Sequence, residues 1–139
     1  MRFHHPAHPG RSVRLAYCLN LHPADTLEGL FEGLRGITLP LRERLARGRT
    51  FGVGMYVPAK LAEELASGED WRALKGFLEE HDLDPFTWNA FPYGGFGADG
   101  LKARVFEPTW ADPERTFYTQ RVGKLAGLLA SPPRAGEHL

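Results

Sequence analysis

The chain has 139 residues with 17 Lys+Arg against 17 Asp+Glu, so its formal net charge is zero. That length suits one domain able to bury roughly 65–70% of its unfolded surface, and the absence of a basic excess argues against a nucleic-acid module. No apolar run approaches the ~18 residues of a membrane span, and the single cysteine, Cys18, excludes an intramolecular disulfide and fits a reducing cytoplasm.

Residues 1–12 are rich in His, Pro and Gly, lack the apolar core of a secretion signal, and predict a flexible leader. Val13–Leu21 predicts the first strand. Asp25-Thr26-Leu27-Glu28 resembles a capping box with Asp25 as N-cap, and Leu27, Leu30, Phe31 and Leu34 follow at helical spacing. Gly36 and Pro40 are expected to interrupt this helix, which resumes over 41–47. Phe51–Val57 predicts the second strand, and Pro58 suits the first turn of the next helix. Leu61, Leu65, Trp71, Leu74, Phe77 and Leu78 mark one or two helical pieces, broken near Ser67-Gly68. Asp84–Phe91 predicts the third strand, and 92–110 a long loop. Asp112-Pro113 forms an N-cap and first-position pair, Tyr118, Val122, Leu125 and Leu129 form an apolar stripe, and Ser131-Pro132-Pro133 stops the last helix.

Strands alternating with helices predict an α/β fold: three consecutive βα units with parallel strands and right-handed crossovers. The units span 13–131, between the 1–12 leader and a 132–139 tail. Ligands of such sheets bind beyond the carboxyl ends of the strands. Alternation divides each strand into two faces. Leu15, Tyr17 and Leu19 oppose Ala16, Cys18 and Asn20. Phe51, Val53, Met55 and Val57 oppose Gly52, Gly54 and Tyr56. Phe86, Trp88 and Ala90 oppose Thr87, Asn89 and Phe91. One face is bulky and apolar. The other is small and turns polar toward the carboxyl end, a pattern that suits a barrel interior better than a sheet covered on both faces.

The run from Pro85 to Gly97 combines a strand with a loop of glycines, aromatics and an amide. Glycines let backbone approach a ligand and aromatics supply flat walls. The candidate substrate-binding residues are therefore Asn20, His22, Tyr56, Asn89, Phe91 and Tyr93. His22 can act as acid, base or ligand near neutral pH. The competing reading has Asn20, His22 and Asn89 serving only their own turns. Gly94-Gly95-Phe96-Gly97 lacks the spacing and lysine of a phosphate-binding loop and reads as a flexible loop. Lys102 and Arg104 read as a solvated loop before an anion site, Trp110 and Tyr118 as helix-packing residues, Cys18 as a small buried group, and His4, His5 and His8 as part of the leader. No catalytic constellation or metal-ligand cluster is complete in the sequence, so no cofactor is expected in this chain and its catalytic residues stay undefined.

Several segments resemble the start of EboE, a metabolite traffic protein of the xylose isomerase-like TIM barrels. They are Leu15-Ala16-Tyr17-Cys18-Leu19-Asn20-Leu21-His22-Pro23, Phe51-Gly52-Val53-Gly54-Met55-Tyr56-Val57-Pro58 and Asn89-Ala90-Phe91-Pro92-Tyr93-Gly94-Gly95-Phe96. Two further stretches, Lys102–Trp110 and Asp112-Pro113-Glu114-Arg115, share it. The resemblance covers roughly residues 13 to 131. It implies the N-terminal portion of a barrel that needs eight βα units and about 250 residues, a sugar or cyclitol (phosphate) isomerase or epimerase when complete, and a divalent metal held on later strands of a full-length relative. Three strands leave two open edges. The expectation is therefore a chain inactive by itself, which self-associates or is completed by a missing C-terminal portion. Its partner would be a small polar metabolite of sugar or cyclitol type, held without turnover in the alternative reading.

Overall fold

The computed structural model describes residues 2–22, 24–91, 93–94 and 106–131. The candidate glycine loop over 95–97, Lys102, Arg104 and the tail 132–139 lie outside these residues.

The chain opens as an antiparallel ribbon, β1 (Arg2–His5) and β2 (His8–Arg14), with Phe3 in register with Val13. This differs from the flexible leader read from composition. Pro9 is tolerated because, among the described residues, β2 is paired along one side only. The turn is closed by the Ala7 amide, which donates to His5 Nδ1 at 3.2 Å. The ribbon is tied to the body by Arg14, which pairs with Asp84 and lies 4.0 Å above the centre of the Phe86 ring.

Three parallel strands follow: β3 (Ala16–Cys18), β4 (Phe51–Tyr56) and β5 (Leu83–Asn89), hydrogen-bonded in that order. β3 is shorter than Val13–Leu21 because its beginning belongs to the ribbon and Leu19–Leu21 coil into a 3₁₀ turn. The first helix, α1 (Leu27–Gly33), is capped by Thr26 and not Asp25: Thr26 Oγ1 accepts from the Gly29 amide at 3.1 Å. One residue of shift puts Gly29 where a capping box needs a glutamate, so Glu28 closes no box. Gly36 and Pro40 do not break the helix. It widens into a π turn over Leu34–Thr38, with the Leu39 amide bonding Leu34 O, and continues as α2 (Leu39–Leu45). A proline ring would collide with the carbonyl four residues back in a regular helix, and the wider turn relieves that collision.

Two helices, α3 (Ala59–Ser67) and α4 (Trp71–Glu80), lie between β4 and β5, with the expected break at Gly68. The last helix, α5 (Pro113–Leu129), begins where Asp112-Pro113 predicts. The Asp112 carboxylate turns backward, however, accepting from Thr109 N at 2.6 Å and Thr109 Oγ1 at 2.8 Å. Lysines close helix ends across the interface of α3, α4 and α5. Lys124 Nζ donates to Ala66 O at 2.6 Å and Lys75 Nζ to Leu128 O at 3.0 Å, where carbonyls lack intrahelical partners.

The helices cover the sheet face of Phe51, Val53 and Met55, which are buried together with Leu30, Leu34, Leu61, Leu65, Leu74, Leu78 and Leu125. All six residues of β4 are buried, as befits the central strand. The faces of β5 do not alternate as the sequence suggests. The register jumps from Gly52↔Asp84 to Gly54↔Thr87, a bulge that places one extra residue in β5. Leu83 and Trp88 therefore share the helix-side face, while Phe86 lies beneath Arg14. On the other face, a Cβ added at Gly54 would sit 3.1 Å from Thr87 Oγ1 and 3.5 Å from Cys18 Cα, so the glycine allows neighbouring side chains to close over the strand. Cys18 is exposed rather than buried, because β3 is an edge strand and its small face is uncovered among the described residues. Trp110 is also exposed, at 73%, whereas Tyr118 is fully buried as expected.

Candidate binding site at the carboxyl ends of the parallel strands

Parallel pairing brings the ends of β3, β4 and β5 to one rim, and Asn20, Tyr56 and Asn89 lie at or just beyond those ends. Tyr56 is buried at the end of β4, and its hydroxyl donates to Gly94 O. Burial pushes its phenol well above the usual tyrosine range, with Tyr118 and the Asp25 carboxylate adding to the shift. Asp25 belongs to the β3–α1 loop, which therefore passes near the end of β4.

The β5 end is bound tightly to the body. Asn89 Oδ1 accepts from the Phe91 amide at 2.9 Å, curving the chain immediately after the strand. The half-buried Tyr93 packs edge-on against Tyr118 at 5.4 Å, and its carbonyl accepts from the Ala59 amide at 3.0 Å, at the start of α3. Phe91 is exposed and makes an edge contact with Phe106 at 5.2 Å. The residue that organises this end is Arg115, which is 4% exposed. Its Nε donates to Pro108 O at 2.8 Å, and one terminal nitrogen donates to Phe91 O at 2.7 Å and Ala90 O at 3.3 Å. The guanidinium also lies 5.9 Å from the ring centres of both Tyr93 and Tyr118. Tyr118 donates to Val57 O at 3.0 Å, and burial holds its phenol up at about 12 against the opposing influence of Arg115.

Arg115 was not among the residues singled out for function from the sequence. An arginine in the first turn of an amphipathic helix ordinarily reads as solvated. Only its position beneath the Ala90 and Phe91 carbonyls, just past the end of β5, and the Pro108 carbonyl of the loop before α5 distinguishes it.

The β3 end is organised differently. Asn20 is half-buried, and its Oδ1 is buried with no hydrogen-bond partner among the described residues. His22 turns toward the helical layer. Its ring stacks on Tyr17 at 5.7 Å, and Tyr17 in turn contacts Phe51 on the helix-covered face. Gly33 and Thr38 complete the surroundings of His22 and were likewise not singled out from the sequence.

Beside the exposed Asp25 of the β3–α1 loop, the rim thus presents the neutral hydrogen-bonding groups of Asn20, Tyr56 and Asn89 and the aromatic surface of Phe91 and Tyr93. An amide oxygen can accept from a ligand hydroxyl, and ring faces can cover its C–H edges. Among the described residues no three His, Cys, Asp or Glu side chains converge as metal ligands, and no helix is long and apolar enough to cross a membrane. Comparison with family models, with curated proteins and with solved structures gave no match.

Proposed function

We propose that the chain is the N-terminal portion of a xylose isomerase-like barrel of the EboE type, binding a small polar metabolite of sugar or cyclitol class at the carboxyl rim of its parallel strands. The observation that carries this reading is Asn20 Oδ1, a buried acceptor without a partner among the described residues, at the rim where α/β sheets bind ligands. A hydroxyl-rich ligand would supply the missing donor. The neutral character of Asn20, Tyr56 and Asn89 suits a polyol, and Phe91 and Tyr93 provide its apolar wall. Isomerisation or epimerisation, together with any divalent metal, would belong to the complete barrel. Its additional strands, or a second copy of this chain, would cover the edges of β3 and β5 that are unpaired among the described residues, and the exposed Cys18.

A second reading, retention without turnover, is supported by how the rim groups are used. The Tyr56 hydroxyl and Asn89 Oδ1 each bond to loop backbone, which suits shaping a cavity more than relaying protons. Thermal unfolding with a panel of inositols, hexoses and hexose phosphates tests binding. At least one should raise the midpoint, and Asn20→Ala should abolish that rise. A panel that leaves the midpoint unchanged, or an equal rise in the variant, overturns the proposal. Product analysis of the binding ligand then separates turnover from retention.

A further inference from the structure

His22 carries a feature that ligand binding does not use. Its Nδ1 is buried with no hydrogen-bond partner among the described residues and presses on Gly33, where an added Cβ would lie 2.7 Å away. Its Nε2 lies 3.5 Å from Oγ1 of the fully buried Thr38, in the π turn. With Tyr17 stacked on the ring, the imidazole is held between β3 and the α1–α2 helical segment.

We propose that His22 is an acid-sensitive latch: neutral, it holds the β3–α1 loop and its neighbour Asn20 against the helical layer; protonated, it releases them. The neutral ring with its proton on Nε2 suits the site, since Nε2–H can donate to Thr38 Oγ1 and Nδ1 carries only a lone pair against the glycine. A second proton would crowd an N–H against Gly33 and place a full charge on a ring that is partly desolvated. Burial holds the imidazole below its ordinary value of 6.5, with the backbone of His22 itself offsetting part of that effect.

The charged groups on the surrounding elements are engaged elsewhere or exposed. On α1 and the π turn, Glu28 and Arg35 pair at 3.6 Å, Arg35 lies over Phe31 and Phe77, and Glu32 is exposed. On α2, Arg42 reaches Asp82 and Glu43. Asp25, in the loop itself, is exposed, and from β3 the Tyr17 ring supplies the stacking face.

The sign follows from linkage. The released loop takes up a proton more readily than the latched one, so latching is complete above the ordinary histidine value and weakens as pH falls through it toward the lowered value of the latched ring.

Two measurements on the protein test it. Nitrogen-15 NMR of labelled histidines should show His22 titrating below free imidazole. Amide exchange over residues 19–26, corrected for intrinsic rates, should show opening that rises about tenfold more between pH 7.5 and 5 in the wild type than in His22→Gln. A titration at or above the free-imidazole value, or equal opening in both proteins, overturns the latch. Should His22→Gln fail to fold, the wild-type titration decides alone.

Discussion

The carboxyl ends of β5 and β3 use their polar groups in opposite ways. At the β5 end, Arg115 satisfies the carbonyls of Ala90, Phe91 and Pro108, while Asn89 closes its own turn on Phe91. At the β3 end, Asn20 Oδ1 and His22 Nδ1 are both buried without partners among the described residues. The aromatic and glycine-rich β5 end announces a pocket more strongly in the sequence, yet its polar atoms are largely occupied by structure. The β3 end has the less distinctive sequence but leaves capacity over after folding. Unused hydrogen-bonding capacity is the better indicator of a ligand or a switch, because a buried polar atom without a partner costs free energy that folding alone does not return.

Arg115→Ala gives the sharpest test of this contrast. It leaves three part-buried carbonyls without their shared donor and empties the buried site of the guanidinium, and should cost about 3 kcal/mol in urea unfolding. Arg115→Lys should recover less than half of that, since an ammonium cannot reproduce the planar fork. A loss below about 1 kcal/mol would show that the β5 end is held by its aromatic contacts instead.

Gly33→Ala probes the other end. The methyl group would meet His22 Nδ1 at 2.7 Å, and this overpacking should outweigh the gain in helix propensity. A net loss of about 1–2 kcal/mol in urea unfolding is expected. A stabilised variant would mean that the ring moves aside freely and that the β3 end is not tightly latched.

The two asparagines should then part company. Asn89→Ala removes the acceptor of the Phe91 amide and should cost about 1 kcal/mol, with Asn89→Asp retaining most of the stability. Asn20→Ala removes an atom that has no partner among the described residues and should change stability by less than about 0.5 kcal/mol while losing ligand binding. Equal destabilisation by both alanine variants, read in the same denaturant series, would erase the contrast between the two ends.

The smallest effect concerns pH. Because burial lowers the His22 imidazole, stability should decline on acidification below 6.5, and His22→Gln should remove that portion of the decline. Parallel pH–stability curves for the two proteins would assign the decline to other groups.

The βα alternation was legible because hydrophobic period and helix punctuation are local properties. The second and third strands, the break at Gly68 and the start of α5 at Pro113 follow the sequence closely. Reading failed where distant contacts decide. The Pro40 interruption became a π turn because the helix was worth continuing once Leu30 and Leu34 were buried. The bulge puts one extra residue into β5 between Asp84 and Thr87, so alternation counted along the sequence no longer joins Phe86 to the face of Trp88. The leader became a ribbon through cross-strand pairing and through Arg14, whose partner Asp84 lies 70 positions along the chain.

By itself, the sequence determined that strands alternate with helices and that Asn20, Tyr56 and Asn89 fall at or just beyond strand ends, because hydrophobic period and turn residues mark where an element runs without knowledge of its neighbours. The tertiary structure alone decided which of those polar groups are already used. Satisfaction of a buried atom depends on partners such as Arg115 or Thr38, brought from other elements, and a linear pattern does not encode the angle and distance at which they arrive.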